Sequence, residues 1–430
     1  MAIRDIPRTA MPREAEFLEQ YAYAREPVVI TDLFEGQEIS RIETVEDALG
    51  AWGGMKLVVQ EEYTSAEGNA AAPDPTVMSL REYVDFSRSN PSTRLCCTEY
   101  DTPARVLASY ELPEICRVTH PGEEILGLPR KYGDYDLVTA IFLANAGNVG
   151  HLHFDGDQRD VLLHQIYGRK RVVLFPPAAA KHLRTLDGPY SRPSLAGLYL
   201  EDMSLEEKLD WVKRAGGYHT VIEPGETIYI PMLMWHHLEY MDDAMSFNYR
   251  FRRTPYGRFL SVDNFHRDPY IQNVAAKMVG PDEVLRAFEP AVDQITAEYL
   301  RPATDIRHKV RDMRTLFKRL CTDISPEADP GGLCPPEREE EQVTRIAEGN
   351  DMKGGLKYVD PALIARTRPT GQIDSRQKEM VGSGSQRAGY SDEVMRAVLR
   401  NRLGKDDVDE LSKAEAAQLV AYLASPGAAW

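Results

Sequence analysis

The sequence predicts a mainly β fold with helices: antiparallel strands, for which a jelly-roll barrel is one closure, between an α/β layer before them and a helical region after them. Three observations carry this. Short strand-like runs at 137–146, 161–167, 171–175, 227–230 and 245–251 follow one another without regular intervening helices, which favours antiparallel pairing over a doubly wound sheet. Residues 1 to 60 mix helical patterns with one buried-strand run. After Arg253 the apolar residues change to a helical period.

Taken in order, Pro12 to Tyr21 reads as a short helix, Pro27 to Ile30 as a strand and Val45 to Trp52 as a helix. Glu67 to Pro75 is a loop. Ser79 with Glu82 three residues on forms a capping-box pattern that predicts a helix over 79–88. Leu95 to Tyr100 reads as a strand. Thr102 to Asp134, with Pro103, Pro113, Pro121 and Pro129, is turn-rich and is placed against the barrel mouth. The stretch from Ala178 to Gly217 is an insertion, loop-like until Ser204 caps a helix with a basic end.

Beyond the strands, Asp282 to Leu300, divided by Pro290, and Ile306 to Leu320 are amphipathic helical segments. Thr322 to Pro336 and Thr367 to Ser385 read as linkers. Ser391 to Leu403, stopped by Gly404, and the segment capped by Ser412 and Glu415 read as a helical hairpin. The expected organisation is a barrel with its N-terminal layer over 1–258, a helical region over 259–325, a linker-rich segment over 326–385 and a separable hairpin over 386–430.

Composition narrows the function classes. With 43% hydrophobic and 27% charged residues the chain is ordinary for a globular protein. It has no apolar run of about 18 residues and no secretory apolar core near Met1, so no membrane span and a cytoplasmic setting are expected. Five cysteines without a CxxC pair suggest neither a disulfide framework nor a structural zinc site. The formal charge is −16, and residues 1 to 260 hold 27 basic against 39 acidic residues. An acidic half does not favour nucleic acid and would suit a cationic peptide or small molecule.

The chemistry concentrates in His151-Leu152-His153-Phe154-Asp155. If this stretch is extended, the two-residue period of a strand puts His151, His153 and Asp155 on one face. Two imidazoles and one carboxylate form the facial triad that leaves positions of an iron(II) open. The far imidazole is expected in Pro224 to His237, where a turn and a short strand lead to Trp235-His236-His237. His-x-Asp alone is unspecific, since His266 and Asp268 repeat it.

The wider arrangement adds Gly168-Arg169-Lys170, an apolar strand ending at Phe175, and a segment of the form PGExxxIPxxxWH. Over roughly residues 135 to 251 it resembles the JmjC-type cupin oxygenases. The pattern GNVxxxHxD and Ile230-Pro231-Met232 before Trp235-His236-His237 is most similar to the branch that hydroxylates asparagine in hypoxia-inducible factor. The resemblance implies a double-stranded β-helix of the jelly-roll or cupin kind, with iron(II) held by His153, Asp155 and His236. It further implies 2-oxoglutarate gripped by Lys170, Asn248 touching the cosubstrate or an iron-bound water, and O2 as co-reactant. It implies pairing into a homodimer through the helices after the barrel.

The chain departs from that branch in placing Lys170 seventeen residues after His153 and in having Gly150, Val161 and Leu163 at positions often polar. His151, Tyr100 or Tyr229 are then the candidates for further cosubstrate contacts. The expected activity is hydroxylation of an unactivated C–H bond in a peptide or protein side chain or an amino-acid-like substrate, releasing succinate and CO2. Three other readings stay open. One is a metallocupin that does without 2-oxoglutarate and uses His151, His153, Asp157 and His236. The others are a JmjC demethylase and a cupin that binds without catalysis.

Overall fold

A computed structural model of the chain describes residues 4–61, 75–117, 139–155, 159–176, 179, 183, 198–252, 268–270, 294, 298, 305–324, 329–352 and 371–430. The N-terminal layer holds β1 (Arg4–Asp5), β2 (Arg8–Thr9), α1 (Glu14–Phe17), β3 (Val28–Ile30), α2 (Val45–Trp52), β4 (Lys56–Glu61), β5 (Thr76–Ser79), α3 (Leu80–Ser89), β6 (Leu95–Asp101) and α4 (Ala104–Leu107). The barrel strands follow as β7 (Thr139–Ala144), β8 (Val149–His153), β9 (Asp160–Tyr167), β10 (Lys170–Phe175), β11 (Tyr218–Ile222), β12 (Thr227–Ile230), β13 (Trp235–Tyr240) and β14 (Ala244–Phe251). Among the described residues one α-helix, α5 (Leu205–Ala215), interrupts them.

These strands form two sheets, ordered β1-β11-β10-β13-β8 and β2-β3-β12-β9-β14-β7-β6-β4-β5. Every pairing between barrel strands is antiparallel. Alternation along each strand sorts side chains into layers. Val161 and Leu163 of β9 and Ile228 and Ile230 of β12 meet Val172 and Leu174 of β10 in the space between the sheets. The opposite face of the large sheet, with Leu162, Ile166, Ile141 and Phe247, packs on the N-terminal layer. The outer face of the small sheet, with Leu152, Val173, Phe175 and Trp235, is covered by Val212 and Ala215 of α5. This is the jelly-roll core expected from the sequence.

The two capping boxes form as the sequence indicates, and the Ser204 cap proves to be a third. Ser79 and Glu82, Ser204 and Glu207, and Ser412 and Glu415 each satisfy two helix-end N–H groups reciprocally. Gly168 has φ +67° in the turn joining β9 to β10, where a Cβ would collide with the Asp243 carbonyl oxygen. Only glycine lets this turn lead directly into Lys170.

After the barrel come α6 (Ile306–Ile324), α7 (Pro330–Leu333), α8 (Glu339–Met352), α9 (Ser375–Ala388), α10 (Asp392–Leu403) and α11 (Lys413–Leu423). The segment 282–300 lies outside the described residues except for 294 and 298. Two expectations need correction. Much of the supposed linker over 367–385 is α9, opened by a capping box of Asp374 with Gln377 and closed at Gly389 in the left-handed conformation. Its glycines suggest flexibility in sequence, but a Cβ on Gly384 would stand 3.1 Å from Leu423, so that glycine serves close helix packing.

Nor does the C-terminal hairpin stand apart from the barrel. Val398, Leu399, Leu411, Leu419 and Tyr422 belong to the same buried cluster as Leu162 and Phe247. Asn401 donates to the carbonyls of Leu107 and Tyr110, and the Tyr422 hydroxyl donates to that of Thr102. Arg402 pairs with Asp101. The amphipathic faces that look self-sufficient in sequence are spent on the outer layer of the large sheet.

Candidate metal centre

His153 ends β8, Asp155 follows two residues later, and His236 lies on β13 directly opposite His153. Their ligand atoms all lie within 4.8 Å of one another, and this is the one group of three or more His, Cys, Asp or Glu so placed among the described residues. His153 Nε2 is 3.8 Å from Asp155 Oδ1. The two imidazole centroids are 4.2 Å apart.

Backbone carbonyls set both rings. His153 Nδ1–H donates to its neighbour-but-one His151 at 2.6 Å, and His236 Nδ1–H donates to Met234 at 3.0 Å. With Nδ1 protonated, each Nε2 keeps its lone pair for a cation, the form in which histidine binds metals. Burial, and then the neighbouring His153, pull the His236 imidazole down to about 4, which keeps it neutral at physiological pH. Two neutral imidazoles and one carboxylate on one side of a point fit a divalent cation with open positions.

His151 does not join them. The β8–β13 register shifts between His236 and Leu238, so Gly150, not His151, comes opposite Leu238. The bulge breaks the two-residue alternation that would align His151 with His153. His151 instead meets Glu201 at 2.7 Å, beside Tyr199. Asp157 lies outside the described residues. His237 is on the opposite face from His236 and meets Glu239 at 3.1 Å, where Lys208 and Arg171 also converge.

Lys170 begins β10 and shares the inner face with Val172 and Leu174. It is 1% exposed, and its Nζ donates to Ser246 Oγ at 2.5 Å and sits 4.2 Å from the Tyr240 ring centre. Among the described residues no carboxylate pairs with it, and burial lowers its ammonium to about 7. Asn248 lies two positions beyond Ser246 on β14, and it lines the pocket that Asp155 and His236 also line. Its buried Oδ1 has no hydrogen-bond partner among the described residues. A dicarboxylate would meet an unpaired ammonium at one end and the metal ligands at the other, so the donor set fits 2-oxoglutarate as well as the cation.

Two other candidates for cosubstrate contacts are turned away. Tyr229 is buried in the cluster on the far face of the large sheet, and Tyr100, opposite Ile141 on β7, packs against the same cluster. Sequence reasoning missed Ser246, although Ser246 and Asn248 share a face by the same alternation that relates Lys170 to Val172. Asp160 is buried and paired with Arg252 at 2.5 Å. His164, by contrast, is an ordinary strand histidine held neutral by burial, at about 3. The second His-x-Asp does not build a centre of this kind: Asp268 is buried against Arg314, and His266 lies outside the described residues.

Comparison with known proteins agrees with this geometry. Residues 14–256, more than half of the chain, match the cupin-like domain family. Over 114 residues the chain is 33% identical to the zebrafish tRNA wybutosine-synthesizing protein 5, an alignment that covers 26% of this chain and 32% of that protein. It is 30% identical over 114 residues to the Drosophila melanogaster Jumonji C domain-containing protein 5, covering 26% of each. The chain thus spans about a third or less of the length of these relatives. The family match, over more than half of the chain, shows that the chain belongs to the cupin-like domain family, and over about a quarter of its length it is similar to a Jumonji C domain-containing protein.

Proposed function

We propose that the protein is an iron(II)- and 2-oxoglutarate-dependent dioxygenase that hydroxylates an unactivated C–H bond of a peptide or protein side chain or an amino-acid-like substrate. One observation carries the reading: a three-residue cluster that could hold a metal, and a buried lysine with no carboxylate partner among the described residues, both face the inside of the barrel, the lysine bonded to Ser246 two positions from Asn248, which lines the pocket beside the cluster. A metallocupin without a keto acid has no use for a buried ammonium at that position.

Iron(II), when bound, supplies the positions where 2-oxoglutarate and O2 meet, with decarboxylation to succinate and CO2 coupled to transfer of one oxygen atom to the substrate. The chain's own residues do the rest. His153, Asp155 and His236 would hold the cation, and three protein donors would leave it positions for the cosubstrate and O2. Lys170 orients the cosubstrate by a charge-assisted contact to its far carboxylate. Val161, Leu163 and Ile230 form an apolar wall that keeps water from the reacting atoms.

The acidic balance of residues 1 to 260 supports a cationic or neutral substrate over a nucleic acid. The zebrafish relative, named for its part in tRNA wybutosine synthesis, makes RNA the comparison to include. Purified protein is incubated with iron(II), 2-oxoglutarate, O2 and a pool of cell peptides and metabolites, with tRNA in a parallel arm. Products heavier by one oxygen atom in the peptide or metabolite arm support the reading. Oxidation confined to the tRNA arm, or turnover that does not require 2-oxoglutarate, contradicts it.

A further inference from the structure

The segment between β12 and β13, Pro231 to Met234, leads to His236 and walls the pocket beside it. Leu233 within it has φ +61°, a left-handed conformation that a non-glycine residue keeps only where its surroundings hold it. Among the described residues two others share that conformation, Arg25 at φ +56° and Arg252 at φ +49°. All three converge on Met232. Asp160 Oδ1 accepts the Met232 N–H at 2.8 Å, while its Oδ2 is held by Arg252 Nη1 at 2.5 Å. From the other side Arg25 Nη1 stands 3.4 Å from the Met232 carbonyl oxygen.

The Asp160 and Arg252 side chains are 1% and 2% exposed. A buried ion pair is a poor device for stability, because desolving two charges offsets their attraction and an apolar pair often serves as well. What the carboxylate supplies is an oriented acceptor for one backbone N–H. The His236 ring takes its direction from the Met234 carbonyl two residues further on. A shift of Met232 therefore moves the atom that fixes the imidazole.

We propose that Asp160, held by Arg252, is a positioning residue of the metal centre: it clamps Met232 and so sets where His236 presents Nε2. The proposal rests on the reading of His153, Asp155 and His236 as metal ligands. It places a determinant of metal affinity on the first residue of β9, outside the ligand set.

The test replaces the buried pair by apolar side chains of similar bulk, Asp160→Leu with Arg252→Met, which preserves the packing but removes the acceptor. Cobalt(II) serves as the probe, read by its visible absorption, and hydrogen exchange at the Met232 amide is measured alongside. The double variant is expected to stay folded but to melt below wild type, because the Met232 N–H is left without its acceptor, to bind cobalt(II) about tenfold more weakly and to exchange the Met232 amide about tenfold faster. Asp160→Asn keeps the shape and a neutral acceptor but loses the charge that holds Arg252, so it falls between the two.

A folded double variant with wild-type cobalt(II) affinity and wild-type exchange overturns the proposal. If the double variant does not fold, wild-type values of both quantities in Asp160→Asn overturn it instead. Equal cobalt(II) binding by wild type and His236→Ala refutes the metal-centre reading itself, and the Met232 exchange rates then still decide whether Asp160 clamps the segment.

Discussion

His153 and His236 face each other across β8 and β13, with ring centroids 4.2 Å apart and each Nδ1 tied to a carbonyl of its own strand or the turn before it. Burial and the neighbouring His153 disfavour protonation of His236, which leaves its imidazole neutral. The ligand atoms of the two histidines and Asp155 lie within 4.8 Å of one another, a grouping that could hold a cation.

The first prediction separates the two adjacent histidines. His236→Ala is expected to abolish metal-dependent turnover. His237→Ala is expected to retain metal binding, because His237 points to Glu239 on the other face of β13. Its cost is stability, about 1–3 kcal/mol from the disturbed buried network. Metal titration and urea denaturation of both variants check this, and full activity in His236→Ala would refute the assignment.

The second concerns Lys170. Removing one partner of a shielded ion pair costs roughly 3–5 kcal/mol, so Lys170→Ala is expected to raise the 2-oxoglutarate requirement on the order of a hundredfold or more. Iron binding should persist, because Lys170 is not among the clustered ligands. An unchanged cosubstrate requirement would favour a metallocupin that does without the keto acid.

The third is a pH dependence with a definite sign. Burial lowers the Lys170 ammonium from 10.5 to about 7. Between those values the unfolded chain holds a proton that the folded chain has released, so this group makes the ligand-free protein more stable as pH rises through the window, by at most about 1.4 kcal/mol per pH unit. Binding a carboxylate requires the ammonium, so above about pH 7 the 2-oxoglutarate affinity falls by up to tenfold per unit. Calorimetric titration across this range, with Lys170→Met as the control lacking both slopes, measures it.

The fourth addresses the C-terminal helices. Leu419 is wholly buried in the cluster shared with the large sheet. Leu419→Ala is expected to lower the stability of the barrel by about 2–5 kcal/mol, in a single unfolding transition. Two separate transitions, with only the smaller displaced, would show that the hairpin folds independently.

The layers and the close grouping of His153, Asp155 and His236 were legible because they depend on local pattern. Strand alternation, the capping residues Ser79, Ser204 and Ser412, and the paired motifs around His153 and His236 are written in short stretches of sequence. The position of His151 was not, because the bulge opposite Leu238 arises only when β13 pairs with β8. The burial of Asp160 was not, because its partners Met232 and Arg252 lie far along the chain. Gly384 reads as flexible alone and becomes a packing contact only against Leu423. What sequence leaves out here is tertiary pairing, not local propensity.

In the proposed reading His153, Asp155 and His236 hold one iron(II) to which 2-oxoglutarate binds under the direction of Lys170. Its most direct test is an anaerobic titration of iron(II) into protein with 2-oxoglutarate, following the visible charge-transfer absorption that develops when a keto acid chelates iron(II). An absorption that saturates at one iron per chain in wild type and is absent from Asp155→Ala is expected. No absorption in wild type, or an undiminished one in Asp155→Ala, would contradict it.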